Sequence, residues 1–589
     1  MLAEVMMASI EGNPALQMAG LEFDEAFWDW GVYEILSRHY PNVELHVSED
    51  LTTGGPWLVI QGPPSMDRLS LRRALFEHWV KFAEEVRSFN VSEEELGSQQ
   101  SPLLDGLKQE RFKRHMPVQT DKELELQMIP LNRLVGGKAE LTIVETEGIK
   151  HIKRATAPSP RGWYKGKHEP KNVRPRPCYS EAVLTTPYSG FCNVGCSFCY
   201  INFGTRGYKS TLLPTVNEDY PEQFDKQMTK MMATGAIYMS SYTESFQQPL
   251  EDQYHMTQRL TEVCVKHNAP IFYLSRRIPP DWAMEALLQN PYSYMQWSVN
   301  TSNPVDLRKL SPGIFKLDQL MRAIERYAAA GIYTSFQVNP VLPGIITEEE
   351  LLELVRMLAQ AGANHVIIKF VEISPSERKL MVEKLRSSGL DGVDEFESVF
   401  TDRFGHQCYV RQDLRKAWLD DVLALTRKLD ITMSTCYEYY NNGMSGASMG
   451  PWYVTSDQCH GPAVPVHYRP SLGERFIPLP GCYRKGCLYC AERGTQSCRN
   501  ETLLSAKALQ YKDYREIRLD AIPLEVREKD WDLPDSSPRP EFAKTRGRNP
   551  GLKTDAELWG LPPLEEVLRD PRLADSHLGC AAGCTCANS

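Results

Sequence analysis

Apolar and polar positions follow two interleaved rhythms through the middle of the chain. From about residue 181, short runs of almost continuous apolar residues read as buried strands: VLTTP (183–187), AIYMSS (236–241), PIFYLS (270–275), YMQWSVN (294–300), YTSFQVNPV (333–341) and HVIIKFVEI (365–373). Between them lie segments with apolar residues at helical spacing, among them DQYHMTQRLTEVCVKH (252–267), FKLDQLMRAIERYAAAG (315–331) and EEELLELVRMLAQAG (348–362). Several end in Gly or Asn, as helix C-caps do. Strands apolar on both faces and alternating with helices predict a parallel sheet covered by helices. Six such units make an α/β fold, a partial (β/α)6 parallel barrel, with chemistry expected at the C-terminal ends of its strands.

The flanks are organised differently. Residues 1–115 read as an N-terminal accessory α/β domain, with helical periodicity over 21–40 and 68–89, a strand at PWLVIQG (56–62) and no catalytic signature. Residues 116–180 read as a basic linker, and 150–177 carry nine Lys/Arg against one Glu. Such a stretch is a solvated connector or an arm for an acidic substrate, with Trp163 and Tyr164 available for stacking. The barrel occupies 181–430. A cysteine-rich auxiliary domain is expected over 431–520 and an extended tail over 521–589, with a short helix at 565–570. There are no internal repeats.

Composition narrows the class. At 589 residues, with 42% hydrophobic and 24% charged positions, the chain is an ordinary globular protein of several domains. Its net charge of −10 excludes a protein built to coat nucleic acid non-specifically. No run of 18 apolar residues predicts a membrane span, and MLAEVMMASI does not read as a secretory signal, so a cytoplasmic location is expected. The 15 cysteines, none before Cys178, suit a disulfide framework poorly in that compartment. Most fall into three groups: Cys192/Cys196/Cys199, Cys482/Cys487/Cys490/Cys498 and Cys580/Cys584/Cys586. Thiolates grouped in this way surround soft metals.

The first group lies in GFCNVGCSFCYINFG (190–204), just after the first strand. Its C-x3-C-x2-C spacing can bind three irons of a [4Fe-4S] cubane and leave the fourth open, whereas a closed zinc site wants a fourth protein ligand. This motif, with Phe198 before the third cysteine and a six-unit parallel barrel behind it, resembles the radical SAM superfamily over residues 181–430. SSYTES (240–245) departs from that superfamily's usual Gly-Gly-Glu and is similar to the spore photoproduct lyase-like branch. The resemblance implies S-adenosyl-L-methionine (SAM) on the open iron, reductive cleavage of a carbon–sulfur bond and a flavodoxin- or ferredoxin-like electron donor. It places Ser241 and Thr243 near the methionyl amine and Arg276 near the carboxylate. Ser298 and Asn300 then face the ribose, and Asn339 and Val341 the adenine.

The other two groups remain more open. Cys482, Cys487, Cys490 and Cys498 can hold a second iron–sulfur cluster or a structural zinc. Cys580, Cys584 and Cys586 can deliver a thiol to the barrel mouth as a hydrogen-atom or electron donor, or hold a thiophilic ion. The expected function is therefore radical modification of a small molecule or peptide through 5′-deoxyadenosyl hydrogen abstraction, with nucleic acid the less favoured substrate. One alternative is transfer of an aminocarboxypropyl group to an acceptor such as arsenite, and another is a non-catalytic iron–sulfur or metal-binding scaffold.

Overall fold

The structure is a computed structural model, and it describes residues 182–190, 192–199 and 214–240, nearly all of 243–479, then Cys482, 509–517 and 543–570. Ahead of these it describes short strands between residues 3 and 162. The strand foreseen at 56–62 is present as Pro56–Gln61, antiparallel to Glu44–Glu49. At the start of the helix foreseen at 21–40, Glu22–Phe23 is instead a short strand antiparallel to Ala3–Glu4; the rest of that helix and the one foreseen at 68–89 lie outside the described residues.

Seven parallel strands form the central sheet: β1 (Ala182–Thr185), β2 (Ala236–Met239), β3 (Ile271–Ser275), β4 (Tyr294–Ser298), β5 (Tyr333–Val341), β6 (His365–Phe370) and β7 (Thr432–Thr435). They pair in chain order, and Arg161–Gly162 adds antiparallel to β1 at the edge. The two edges do not pair with each other, so the sheet is open, as a partial barrel requires. All six foreseen strands are in place. The seventh, TMST, falls in the stretch assigned to the cysteine-rich segment, because four residues, three of them polar, leave no apolar run to detect.

Helices return the chain between strands: α1 (Tyr220–Met228), α2 (Met256–His267), α3 (Asp281–Leu288), α4 (Leu317–Ala329), α5 (Glu348–Gln360) and α6 (Gln412–Lys428). Helix α5 starts in a capping box, Thr347 accepting from the Glu350 amide and Glu350 from the Thr347 amide. Asn268 ends α2 in the left-handed region at φ 57°, as the sequence signals promised.

Alternation along the strands builds two cores. One parity, including Tyr273, Trp297, Phe336 and Ile368, belongs to the main core shared with the helices. The other parity faces inward. There Tyr238 stacks on Phe272 with ring centres 4.4 Å apart, and Phe272 on Tyr294 at 4.6 Å. These rings, with Tyr333, Val464 and Ala543, form a second core that closes the barrel floor. His460 lies 5.1 Å from the Phe272 ring and hydrogen-bonds Gln296, while Arg546 stands over Tyr333. Segments that come late in the chain therefore plug the base of the barrel.

Beyond β7 a fully buried ion pair fixes the chain. Arg415 reaches Glu438 at 2.8 Å and donates to the carbonyls of Val410 and Tyr439, while Glu438 also accepts from the Phe370 amide. Removing one partner of such a pair leaves a buried charge alone, at a cost of about 3–5 kcal/mol. Within the segment foreseen as a basic linker, Leu141–Thr146 and Ile149–Arg154 pair as antiparallel strands. Ile149 and His151 are buried there, and the high Lys/Arg count masks this alternation.

Three histidines sit neutral in the interior. Burial pushes His365 down to about 3, and His460 and His467 down to about 4. An unfolded histidine titrates near 6.5, so as pH falls below that value only the unfolded chain takes up these protons. Their stabilisation is complete above pH 6.5 and fades towards pH 4, each contributing a slope of up to about 1.4 kcal/mol per pH unit. Thermal unfolding followed from pH 7 to 5 should show a steep fall in Tm. Replacing His460 or His467 by Gln should flatten that fall by roughly one histidine's share.

Candidate active site

The cysteine loop, Cys192–Cys199, follows a short strand, Tyr188–Gly190, that leaves the end of β1. It has little regular structure of its own. Two backbone hydrogen bonds turn it, Gly195 to the Cys192 carbonyl and Cys199 to the Cys196 carbonyl, both at 3.3 Å. Gly195 takes φ +70°, where a side chain would be strained. Val194 and Phe198 are buried and anchor the loop from beneath, leaving the three cysteines partly exposed and free of disulfides.

The turn after the helix Pro304–Leu310 holds this loop from the side. Ser197 donates to the Leu310 carbonyl through its amide at 2.8 Å and its hydroxyl at 3.2 Å. Gly313 donates to the Val194 carbonyl at 2.9 Å. The approach is so close that a Cβ on Gly313 would stand 2.6 Å from the Asn193 carbonyl oxygen.

Strand ends complete the mouth. Arg276, just past β3, donates to the Asn300 side chain at 2.6 Å and to the Asn339 carbonyl at 2.8 Å. Its guanidinium lies 5.0 Å above the Phe198 ring, so the cysteine loop and three strand ends meet at one side chain. Asn300 in turn donates to the Pro340 carbonyl. Ser298 is buried at the end of β4, opposite Gln337 of β5. Exposure marks the opening: Leu184 in β1, Leu274 in β3, and Gln337 and Asn339 in β5 are the residues of those strands that are not fully buried.

Some foreseen residues are placed differently. Val341 is fully buried and packs in the main core. The shift of register between Val338 and Val341 breaks the alternation on which that expectation depended. Thr243 spends its hydroxyl on the Tyr188 carbonyl. Cys482 is half-buried and receives the Val466 amide at 3.4 Å. Ser241, Cys487, Cys490, Cys498, Cys580, Cys584 and Cys586 lie outside the described residues.

Glu244 is a site residue the sequence reading missed. It accepts from the Ser275 hydroxyl at 2.7 Å and from the amides of Arg276 at 2.8 Å and Phe246 at 3.1 Å, tying the loop after β2 to the end of β3. Burial raises its pKa, against the pull of these donors and of Arg277. The available signal was a lone carboxylate directly after a buried strand. Burial, helped by Glu244 and the neighbouring thiols, pushes the Cys192 thiol up to about 12, so a metal taking up this sulfur must displace its proton.

Around the loop lie several buried polar atoms with no protein partner: Asn193 Oδ1, Ser240 Oγ, Ser245 Oγ, Gln247 Nε2 and Arg277 Nε. Buried polar groups are rarely left so, and such a concentration suits a site that a cofactor completes. Among the described residues no three His, Cys, Asp or Glu side chains close on a single metal ion. Sulfurs that each take a separate iron of a cube need not converge in that way, so the donor set fits a three-thiolate cubane.

An open parallel barrel with a three-cysteine loop and an arginine–asparagine network at its mouth defines the class, an α/β-barrel protein equipped for iron–sulfur chemistry. The chain belongs to the radical SAM superfamily, and that membership implies a [4Fe-4S] cluster and S-adenosylmethionine. The family description "Radical SAM superfamily" matches residues 186–358. A protein of Pseudomonas phage M6, named Radical SAM Nalpha-GlyT isomerase, is 42% identical over 383 residues, covering 63% of this chain and 79% of that protein. Among solved structures, a mutant spore photoproduct lyase with bound AdoMet and dinucleoside spore photoproduct aligns with TM-score 0.33 and 17% identity, over 42% of this chain and 74% of that one. Streptococcus suis SuiB bound to S-adenosylmethionine aligns with TM-score 0.29 and 13% identity, over 44% of this chain and 51% of that one.

Gly313→Ala tests the clamp. The added methyl must displace backbone, so anaerobically reconstituted protein should retain less than half the parental iron and sulfide per chain, with an unchanged far-ultraviolet circular dichroism spectrum.

Proposed function

We propose that this enzyme uses Cys192, Cys196 and Cys199 to hold the cluster, and the strand ends around Arg276 to hold SAM, so as to abstract hydrogen from a substrate at the barrel mouth. The observation that carries this reading is the Arg276 junction, where one guanidinium contacts Asn300, the Asn339 carbonyl and Phe198 of the cysteine loop. Bound together, cluster and SAM supply a 5′-deoxyadenosyl radical once one electron arrives from a flavodoxin- or ferredoxin-like donor.

The chain's own residues then hold, orient and exclude. Arg276 offers a planar cation for the methionyl carboxylate, while Glu244 fixes its backbone amide and hence the direction of its side chain. Ser298 and Asn300 present polar groups for the ribose, and Asn339 offers its exposed edge to the base. The aromatic floor keeps water from rising through the barrel behind the reacting groups. Leu184 and Leu274 give the opening an apolar side and Gln337 a polar one, which suits a small molecule or peptide group of mixed character.

The phage relative's name supports an isomerisation, a rearrangement that needs no net electrons and hence no oxidant besides the initiating radical. Cysteines 482–498 as a second cluster or zinc site, and 580–586 as thiol donors, are additional elements of the proposal.

Anaerobic incubation with dithionite and SAM tests the reading. It should release 5′-deoxyadenosine; methylthioadenosine as the nucleoside product would sink it in favour of aminocarboxypropyl transfer. Cys196→Ala should abolish release. Arg276→Ala should keep its iron and sulfide while weakening SAM binding about 10- to 100-fold, the loss of a charge-assisted hydrogen bond worth about 1.5–3 kcal/mol.

A further inference from the structure

Cys196 has a protein partner that the proposal above leaves unused. Ser311 has no solvent exposure, and its hydroxyl donates to Cys196 Sγ from 3.1 Å. The serine is held on both sides: its amide donates to the Leu307 carbonyl at 3.0 Å, and its carbonyl accepts from the Ile314 amide at 3.0 Å. It sits in the same turn that clamps the loop through Leu310 and Gly313.

We propose that Ser311 is a positioning residue that sets the reduction potential of the cluster held by Cys192, Cys196 and Cys199, through its hydrogen bond to the Cys196 sulfur. The inference rests on the cluster reading given above. Reduction takes one electron from a low-potential donor and carries [4Fe-4S]2+ to [4Fe-4S]+; no bond is broken and no proton moves. The added negative charge is shared with the ligating sulfurs. An O–H aimed at one of them stabilises the reduced state more than the oxidised state and raises the potential. Because both ends of the serine are pinned, the donor is in place before the electron arrives.

Ser197 supplies an internal control. It is equally buried and belongs to the cysteine loop itself, yet its hydroxyl goes to the Leu310 carbonyl rather than to sulfur. A residue that only shapes the loop and a residue that tunes the sulfur can therefore be separated by one measurement.

The experiment is an anaerobic redox titration of reconstituted full-length protein, with the [4Fe-4S]+ electron paramagnetic resonance signal read against potential. Ser311→Ala should lower the ratio of reduced to oxidised cluster at fixed potential about tenfold, a midpoint about 59 mV lower for a one-electron couple. Ser311→Thr, which keeps the hydroxyl, should recover most of that shift, and Ser197→Ala, which keeps the amide bond to Leu310, should move the midpoint far less. The proposal is overturned by a parental midpoint in Ser311→Ala, by an equal shift in Ser197→Ala, or by a threonine variant at the alanine value. It is overturned equally if Ser311→Ala no longer retains iron and sulfide, which assigns the serine to building the loop. A parental protein with no such signal would remove the cluster reading itself, a failure distinct from all of these.

Discussion

The grip of the Leu310–Gly313 turn on the cysteine loop is the constraint on which the rest of the site depends. A loop of eight residues with two long internal hydrogen bonds, each of 3.3 Å, cannot hold three sulfurs in fixed positions alone. Its shape is borrowed from a turn more than 100 residues later, through hydrogen bonds to a helix end and a glycine that admits no side chain. That turn follows the helix after β4, so the geometry of the cysteines depends on a part of the chain that lies beyond the fourth strand. Sequence-local turn chemistry bends the loop, and tertiary structure fixes it.

Much of the fold was legible because strand and helix periodicities differ so plainly between residues 181 and 373. Near-continuous apolar runs of five to nine residues mark buried parallel strands, and no helix competes for them. The seventh strand escaped because Thr432–Thr435 alternates small polar residues with one methionine, and its inward face is satisfied by His365 hydrogen bonds rather than by apolar packing. The strands at Leu141–Thr146 and Ile149–Arg154 escaped for another reason. Leu141–Thr146 is a single short run, and in Ile149–Arg154 three of six residues are Lys or Arg, which outweighs the buried Ile149 and His151 in the local composition.

At the site, spacing singled out the three cysteines, and the resemblance to the spore photoproduct lyase-like branch pointed to Arg276 at the end of β3. Spacing could not reveal which strand-end groups spend their hydrogen bonds on the protein. Thr243 turns to Tyr188, and Val341 drops into the core after a register shift. Glu244 serves three donors at once, a role that emerges only when two loops are brought side by side. Orientation of this kind is a property of the assembled second layer around a site, and no single segment encodes it.

The aromatic floor has a consequence for biogenesis. Tyr238, Phe272 and Tyr294 are synthesised early, but Val464, Ala543 and Arg546, which cover them, leave the ribosome some 170 to 300 residues later. At ordinary elongation rates that interval lasts on the order of 10–60 seconds. Throughout it, a nascent half-barrel presents a stacked aromatic surface to the cellular milieu, a natural client for holdase chaperones. Shortening the chain before residue 543 would leave uncovered the part of that surface under Ala543 and Arg546, although that segment lies on the side of the barrel away from the cysteines.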